Sequence, residues 1–515
     1  MFQLESRTIH RGSSRTVPFF HRCDSIKDVA TQIASVTIVV FCLLKAPGES
    51  RVMLSLINHE VRLCDGLSRR EVMRVGGLGL GGLSLANLPG ARAEGYQQPP
   101  VRARNVILFW LTGGVPQHDT WDPKPDGPDS SRSEFGAIPS ATPGLHVGGL
   151  MPMTSRLTNR IAVVRSMYSG DHSHSSSGYQ MLTGIPHAPL SRENATPQPP
   201  NDWPSLGALV RTQRADRNGL PSAITLPRRI ANVGEIVWPG QDAGFLGRKL
   251  DPWLLTCDPS ANDFAVPDLA LPEQVSQVRL ERRISLLNQV NAGLDTLESH
   301  VASRSYGHRV DQAVNLLVGS KTRQAFDLSQ ESDSVKDRYG RSKFAQSVLL
   351  SRRLVEAGVS LVQVNWQQIE GKTNNGSWDT HARHHDSLKG WLMPIMDRSF
   401  SALLEDLDER GLLDETLVAW VGEFGHTPKI NANGGRDHWG HAFSIAMAGG
   451  GIKGGVVLGE TDSQAGHVIR DRVLPRDYVA TVLHCMGLSP ETSIHDVQGR
   501  PLPISRGKVI REILA

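Results

Sequence analysis

The amino-acid sequence predicts an α/β fold in which a mostly parallel sheet is covered by helices on both faces. Three observations predict it. Apolar runs of strand length recur along the chain, segments with helical spacing alternate with them, and polar, glycine-broken clusters follow the strand ends. Alternation of this kind implies crossover connections and therefore parallel neighbours. A chain of 515 residues with 39% hydrophobic and 21% charged residues has ample material for a buried core.

The first strand is Asn105–Thr112, NVILFWLT, which stops at Gly113-Gly114. A run apolar at nearly every position suits a strand buried on both faces. Arg160–Met167 is the second. Ser342–Gly358 has helical spacing and ends at a glycine, and Val359–Asn365 follows as a strand. Leu388–Gly411 is another helix, again ending at a glycine, before strand Thr416–Val421. Phe443–Ala448 and Val456–Gly459 read as short strands, and Arg476–Met486 as a late helix. The domain so outlined covers 105–490, with 491–515 as a C-terminal tail. Its middle, about 197–332, is rich in Pro, Asn and Asp and holds a polar helix around Gln274–Arg304. That stretch is expected to be a loop-rich insertion or cap.

The N-terminal region carries a different signal. Ser68-Arg69-Arg70-Glu71-Val72-Met73 is a twin-arginine pattern, followed by the uncharged run VGGLGLGGLSLANLPG and the small-x-small triplet Ala91-Arg92-Ala93. These parts in this order read as a Tat export signal over 53–93, cleaved after Ala93. The bland alternative is a surface arginine pair before a glycine-rich helix. Met53 is well placed as the initiator, which makes 1–52 a segment read from an upstream start. An N-terminal anchor is the alternative, although ASVTIVVFCLLKA (34–46) is shorter than the roughly 20 residues a spanning helix needs. The expected location is periplasmic or cell-surface, with no stable membrane span in the mature chain.

The 55 basic and 52 acidic residues are spread along the sequence, which gives no electrostatic case for nucleic acid. Of the five cysteines only Cys257 and Cys485 follow the cleavage point, so at most one internal disulfide can form. A cysteine-ligand zinc site is excluded.

The chemistry lies in four polar clusters, each just after a strand, where ligands bind in open α/β sheets. GGVPQHDTWDPKPD holds His118, Asp119 and Asp122. Asp119 is a candidate cation ligand, while an Asx-type turn before Pro123 accounts for Asp122. SGDHSHSSSGYQMLTG holds Asp171, His172, His174 and Ser175, a histidine–hydroxyl combination that suits a nucleophile and its base. Alone, it also reads as a flexible serine-rich loop. In WDTHARHHD, Asp379 and His381 lie two apart and share a face of an extended chain, whereas His385 and Asp386 are explained by a helix start. GEFGHTPKINANGGRDHWGHA places Glu423 directly after an apolar strand, where a carboxylate is costly unless paired or metal-bound. Asp437 and His438 follow the hinge Gly434-Gly435, and a salt bridge from Glu423 to Arg436 is the bland reading. Imidazole with carboxylate suits zinc, and oxygen-rich sets suit calcium, magnesium or manganese.

The segments LTGGVPQHDTWDPKP, WDTH, GEFGHTPKI, GRDHW and AGGGIKGGVVLGETD, in this order between Val106 and Leu488, resemble a bacterial family known as domain of unknown function 1501. That family is similar to the alkaline phosphatase and sulfatase superfamily. The resemblance implies a three-layer α/β/α sandwich holding one or two divalent metals, with a metal-activated nucleophile attacking phosphate or sulfate esters. It implies Asp379 with His381 as one ligand group, Glu423 at a position usually Asp, and His438 as the last histidine ligand. Three features depart from the superfamily: Gly113-Gly114 replaces paired acids, Phe424 stands where His or Asn is usual, and the Cys-x-Pro-x-Arg signature is absent. A formylglycine is therefore excluded, and the nucleophile position falls at His174-Ser175.

The resulting expectation is an exported metal-dependent hydrolase of phosphate or sulfate esters, with a sulfated or phosphorylated glycan as one possible substrate. Asp119, Asp379, His381, Glu423, Asp437 and His438 are the expected metal ligands, and His174 or Ser175 the nucleophile or its base. The alternative is a non-catalytic exported metal-binding protein that recognises cell-surface polysaccharide.

Overall fold

Alternate residues of the run NVILFW point to opposite sides of a strand, and every one of them past Asn105 is apolar. Such a strand needs cover on both faces. In the computed structural model, which describes residues 98–266, 320–372 and 376–515 and isolated helical positions between 278 and 289, this run forms β1 (Asn105–Trp110) at the middle of the sheet. Residues 1–52, the proposed export signal 53–93 and most of the Gln274–Arg304 helix lie outside the described residues.

Seven further strands join β1: β2 (Ile161–Met167), β3 (Ala223–Leu226), β4 (Trp253–Leu254), β5 (Leu361–Asn365), β6 (Thr416–Val421), β7 (Phe443–Ala448) and β8 (Val456–Leu458). Their order across the sheet is β8-β2-β7-β6-β1-β5-β3-β4. β7 alone runs antiparallel to its neighbours, β2 and β6, and the other pairings are parallel.

Helices form a layer on each face. α1 (His174–Thr183), α2 (Leu206–Gln213) and α7 (Pro475–Cys485) bury Met181, Leu209 and Val482 against Val106, Leu108 and Trp110. On the other face α5 (Lys343–Glu356) and α6 (Met393–Glu409), joined by α3 (Ser320–Phe326) and α4 (Asp333–Tyr339), pack on Ile107 and Phe109. The mixed α/β class with a mostly parallel central sheet is thus as expected from sequence. Ser342 caps α5 by accepting from the Ala345 N–H at 3.2 Å, which explains why that helix starts where its apolar spacing begins.

Two differences stand out. β3 and β4 come from the stretch read as an insertion and form one edge of the sheet. They are short, four and two residues, and flanked by prolines (Pro221, Pro227, Pro252), so neither has the length of apolar run that marks a central strand. The helix expected over Leu388–Gly411 opens with a π-helical turn, Leu388–Leu392, before α6 begins. Cys257 and Cys485 are free and buried in opposite core layers, so no disulfide joins them. No described helix is long and apolar enough to cross a membrane.

Phe109 is wedged edge-on between Phe344 of α5 and Phe400 of α6, with ring centroids 5.6 and 5.4 Å away. Phe109→Ala is expected to lower unfolding free energy by about 3–5 kcal/mol, the usual range for emptying an aromatic site in a core. A denaturant titration checks this, and a loss below about 1 kcal/mol would mean that the layer collapses to fill the gap.

Candidate metal centre

The four clusters meet because of the direction of the strands. β1, β2, β5 and β6 run the same way, so Gly113, His174, Asp379 and Glu423 all follow carboxyl ends at one edge of the sheet. β7 runs the opposite way, and the segment leading into it, Asp437–His438, therefore arrives at that edge as well.

At the centre is Asp379. Its Oδ1 lies 3.0 Å from His381 Nε2 and 3.0 Å from His438 Nε2, and those two nitrogens are 2.9 Å apart. The far side of each ring is already committed. His381 Nδ1 is 2.7 Å from Asp437 Oδ1, and His438 Nδ1 is 2.8 Å from the backbone carbonyl of His172. Both partners are acceptors, so each Nδ1 carries the proton and each Nε2 of the neutral rings presents a lone pair. Three lone-pair atoms consequently converge on one point. In tetrahedral zinc sites with bonds of about 2.0–2.1 Å, ligand atoms sit roughly 3.3 Å apart, close to the triangle seen here. Imidazoles whose outer N–H is held by carboxylate or carbonyl are also the usual metal-binding arrangement.

His174, the first residue of α1, extends the cluster. Its Nε2 is 3.2 Å from Asp379 Oδ2 and its Nδ1 2.9 Å from Glu423 Oε1. His174, Asp379 and His438 each offer an atom within 4.8 Å of the others. Glu423 Oε1 also accepts the Gly113 N–H at 2.8 Å, while Oε2 is buried with no hydrogen-bond partner among the described residues. Burial opposes a charge on His174, but hydrogen bonds to Asp379 and Glu423 outweigh it and raise its pKa to about 10. For His381 the hydrogen bond to Asp379 dominates and raises it to about 9. Asp379 is pushed up by burial, yet its hydrogen bonds to His174, His381 and His438 hold it well below the usual carboxylate range. The site thus favours positive charge strongly.

Glycine makes the approach possible. Gly113 has φ +114°, and a Cβ there would overlap the backbone nitrogen of Asp379. An acidic side chain cannot stand at that position in this fold, which gives the Gly113-Gly114 departure a steric basis. A cavity of about 710 Å³ opens beside His174, Asp379 and His438. Arg228, Arg229, Asn232, Trp238, Gln367 and Gln368 line it, and the Trp238 ring stacks on His174 with centroids 5.5 Å apart. Arg228 is paired with Glu235 at 2.6 Å, and Arg229 is 4.0 Å from Asp242.

Of the expected ligands, Asp379, His381 and His438 come together. Asp437 supports His381 from behind, and Glu423 supports His174. Asp119 is elsewhere: its wholly buried carboxylate accepts from His384 Nε2 at 2.9 Å and Ser133 Oγ at 2.5 Å, with Arg436 Nε 3.9 Å away. Arg436 therefore serves Asp119 rather than Glu423. Ser175 is fully buried and its Oγ faces Glu193 at 3.3 Å. Asp122 pairs with Lys124 and Arg165 instead of closing an Asx turn, and His385 pairs with Glu134. Asp386 lies inside the short helix His384–Ser387, bound to Arg383, and does not cap it. The cavity wall from Glu193 to Trp238 carried no motif; only the adjacent Arg228-Arg229 after an apolar run could have marked it. The carbonyl of His172 has no sequence signal at all.

The family model described as Protein of unknown function (DUF1501) matches residues 103–514. No curated protein sequence matches the chain. Among solved structures it is similar to the PsFucS1 sulfatase from Pseudoalteromonas sp. (15% identity, 82% of this chain and 72% of that one, TM-score 0.34). It is also similar to the lipoteichoic acid synthase LtaP from Listeria monocytogenes (9%, 82% and 79%, 0.33). A third is the phosphonate monoester hydrolase of Agrobacterium radiobacter (11%, 80% and 77%, 0.34). Likeness at this distance says nothing of ligand or reaction.

Behind the site, His118 is wholly buried; burial first, then Arg436, lowers its pKa from 6.5 to about 3. The unfolded chain takes up this proton near pH 6.5, while the folded protein resists it. The stability this histidine contributes is therefore complete above pH 6.5 and is lost as pH falls towards 3. The denaturant midpoint of chelator-treated protein should drop across that window, and His118→Gln should flatten the drop. An identical slope in the variant would assign the acid sensitivity to other groups.

Proposed function

We propose that this chain, which belongs to the DUF1501 family, is an exported metal-dependent hydrolase of phosphate or sulfate esters. One observation carries the reading: Asp379 Oδ1, His381 Nε2 and His438 Nε2 face one another within about 3 Å with their outer hydrogen bonds already made. Acceptors at that separation repel unless positive charge, from protons or from a metal ion, lies among them. The same atoms are the proposed ligands, and two imidazoles with one carboxylate favour zinc. Bound there, a divalent ion supplies Lewis acidity towards an ester oxygen and a lowered pKa for a coordinated water.

The remaining steps fall to side chains. Glu423 fixes the His174 ring through Nδ1, and Asp379 holds Nε2 at the cavity wall. With the Asp379 charge drawn to a bound ion, Nε2 loses the partner that keeps it protonated and is freed to act as a base or nucleophile. Arg228 and Arg229 balance an anionic substrate, and the amides of Asn232, Gln367 and Gln368 suit hydroxyl-rich groups such as those of a sulfated or phosphorylated glycan. Ser175 has a weaker claim than His174, because its hydroxyl is directed at Glu193. Asp119 is withdrawn from the ligand set. Export rests on the twin-arginine stretch Ser68–Met73.

The buried Ser175 hydroxyl also favours a second reading, a non-catalytic metal-binding protein that holds polysaccharide in the same cavity. Elemental analysis followed by ester screening separates the two. About one equivalent of divalent metal is expected in the wild-type chain, lost in His381→Ala and His438→Ala. His174→Ala should keep the metal and lose hydrolysis by roughly 100-fold or more. Metal without turnover of any phosphate or sulfate ester would leave the binding reading; folded protein without metal would end both.

A further inference from the structure

Thr380 lies between Asp379 and His381 and touches no substrate cavity, yet it is tied down on two sides. Its hydroxyl is 2.6 Å from His384 Nδ1, and His384 Nε2 is 2.9 Å from Asp119 Oδ2. The carboxylate accepts, so Nε2 carries the ring proton and Nδ1 accepts from the Thr380 O–H. Its backbone carbonyl accepts the N–H of Arg436, the residue before Asp437-His438, at 3.0 Å. Arg436 in turn approaches Asp119 and donates to the Thr427 carbonyl at 2.9 Å. Thr380, His384, Asp119 and Arg436 are all buried, with exposures of 0–1%. In that environment the Thr380–His384–Asp119 hydrogen bonds hold their members firmly, and breaking one link leaves an unpaired buried group. Arg436 Nε faces Asp119 at 3.9 Å as an ion pair without a hydrogen bond.

We propose that Asp119 and His384 are positioning residues of the metal centre, which act through the Thr380 hydroxyl to hold Asp379 and His381 at coordinating distance. The proposal rests on the metal reading above and adds a layer to it. Two of the three ligands flank Thr380, so rotation of this residue moves both. The third follows Arg436, whose backbone and side chain join the same network. Asp119 thus serves the site from behind, without touching the ion.

The test compares Thr380→Val, which keeps the shape and removes the hydroxyl, with Thr380→Ser, which restores it. Asp119→Asn is the second variant. Zinc affinity is read by competition with a chromophoric chelator, geometry by the visible absorption of the cobalt-substituted protein, and folding by the thermal midpoint of metal-free protein. Thr380→Val and Asp119→Asn should weaken zinc binding about 10–100-fold and shift the cobalt bands. Thr380→Ser should bind within about threefold of wild type. A metal-free midpoint close to wild type for Thr380→Val separates positioning from general stability. Wild-type zinc affinity in Thr380→Val, or equal weakness in Thr380→Ser, overturns the positioning role alone. A wild-type chain that binds no zinc overturns the metal reading and this one together.

Discussion

Asp379 is the carboxylate on which the site depends. One of its oxygens is shared by two imidazoles and the other by a third, at 3.0 to 3.2 Å. Such crowding of acceptors is stable only with positive charge among them, as protons or as a metal ion. The outer contacts decide which rings can supply lone pairs. Asp437 and the His172 carbonyl take the Nδ1 protons of His381 and His438, and the inner nitrogens are thereby turned towards a common point. His174 differs because both its nitrogens face carboxylates.

The molecule handles its acidic groups by burying them in two different kinds of surroundings. Asp379 lines the cavity and Glu423 is buried behind it, and the groups opposite both are histidines that can exchange a proton for a ligand. Asp119 sits deeper, between His384, Ser133 and Arg436, away from the cavity. The residue types alone do not separate these situations. What separates them is which partners cover each oxygen and whether a cavity borders the group. Glycine at 113 belongs to the same logic, since the Asp379 backbone fills the space that a side chain there would need.

The central strands were legible because each is apolar at successive positions, a pattern that only a strand covered on both faces satisfies. β3 and β4 were not, since four and two residues between prolines are too short to leave a strand pattern, although β3 is fully buried between its neighbours. The helix that becomes α6 was legible in its body but not in its π-helical opening turn, which depends on packing rather than on apolar spacing. Within the site, Asp379, His381 and His438 were visible as members of carboxylate–imidazole clusters in polar segments between strands. Asp119 had the same signature and a different position. The cavity wall, built from Arg228 to Trp238, was hidden in a stretch whose composition reads as loop.

By itself the sequence determined the α/β class, the strands that carry the site and the pool of carboxylates and imidazoles available to it. Those properties are local, set by apolar periodicity and by the residues that interrupt it. Tertiary structure alone decided which members of the pool meet. His381 and His438 are 57 residues apart and His174 and Glu423 are 249 apart, so their distances of 2.9 Å follow from strand order and direction across the sheet. Whether a carboxylate faces a cavity or a buried arginine is settled by crossover connections that no local pattern encodes. That is why Asp119 and Asp379, alike in sequence, have different partners in the folded protein.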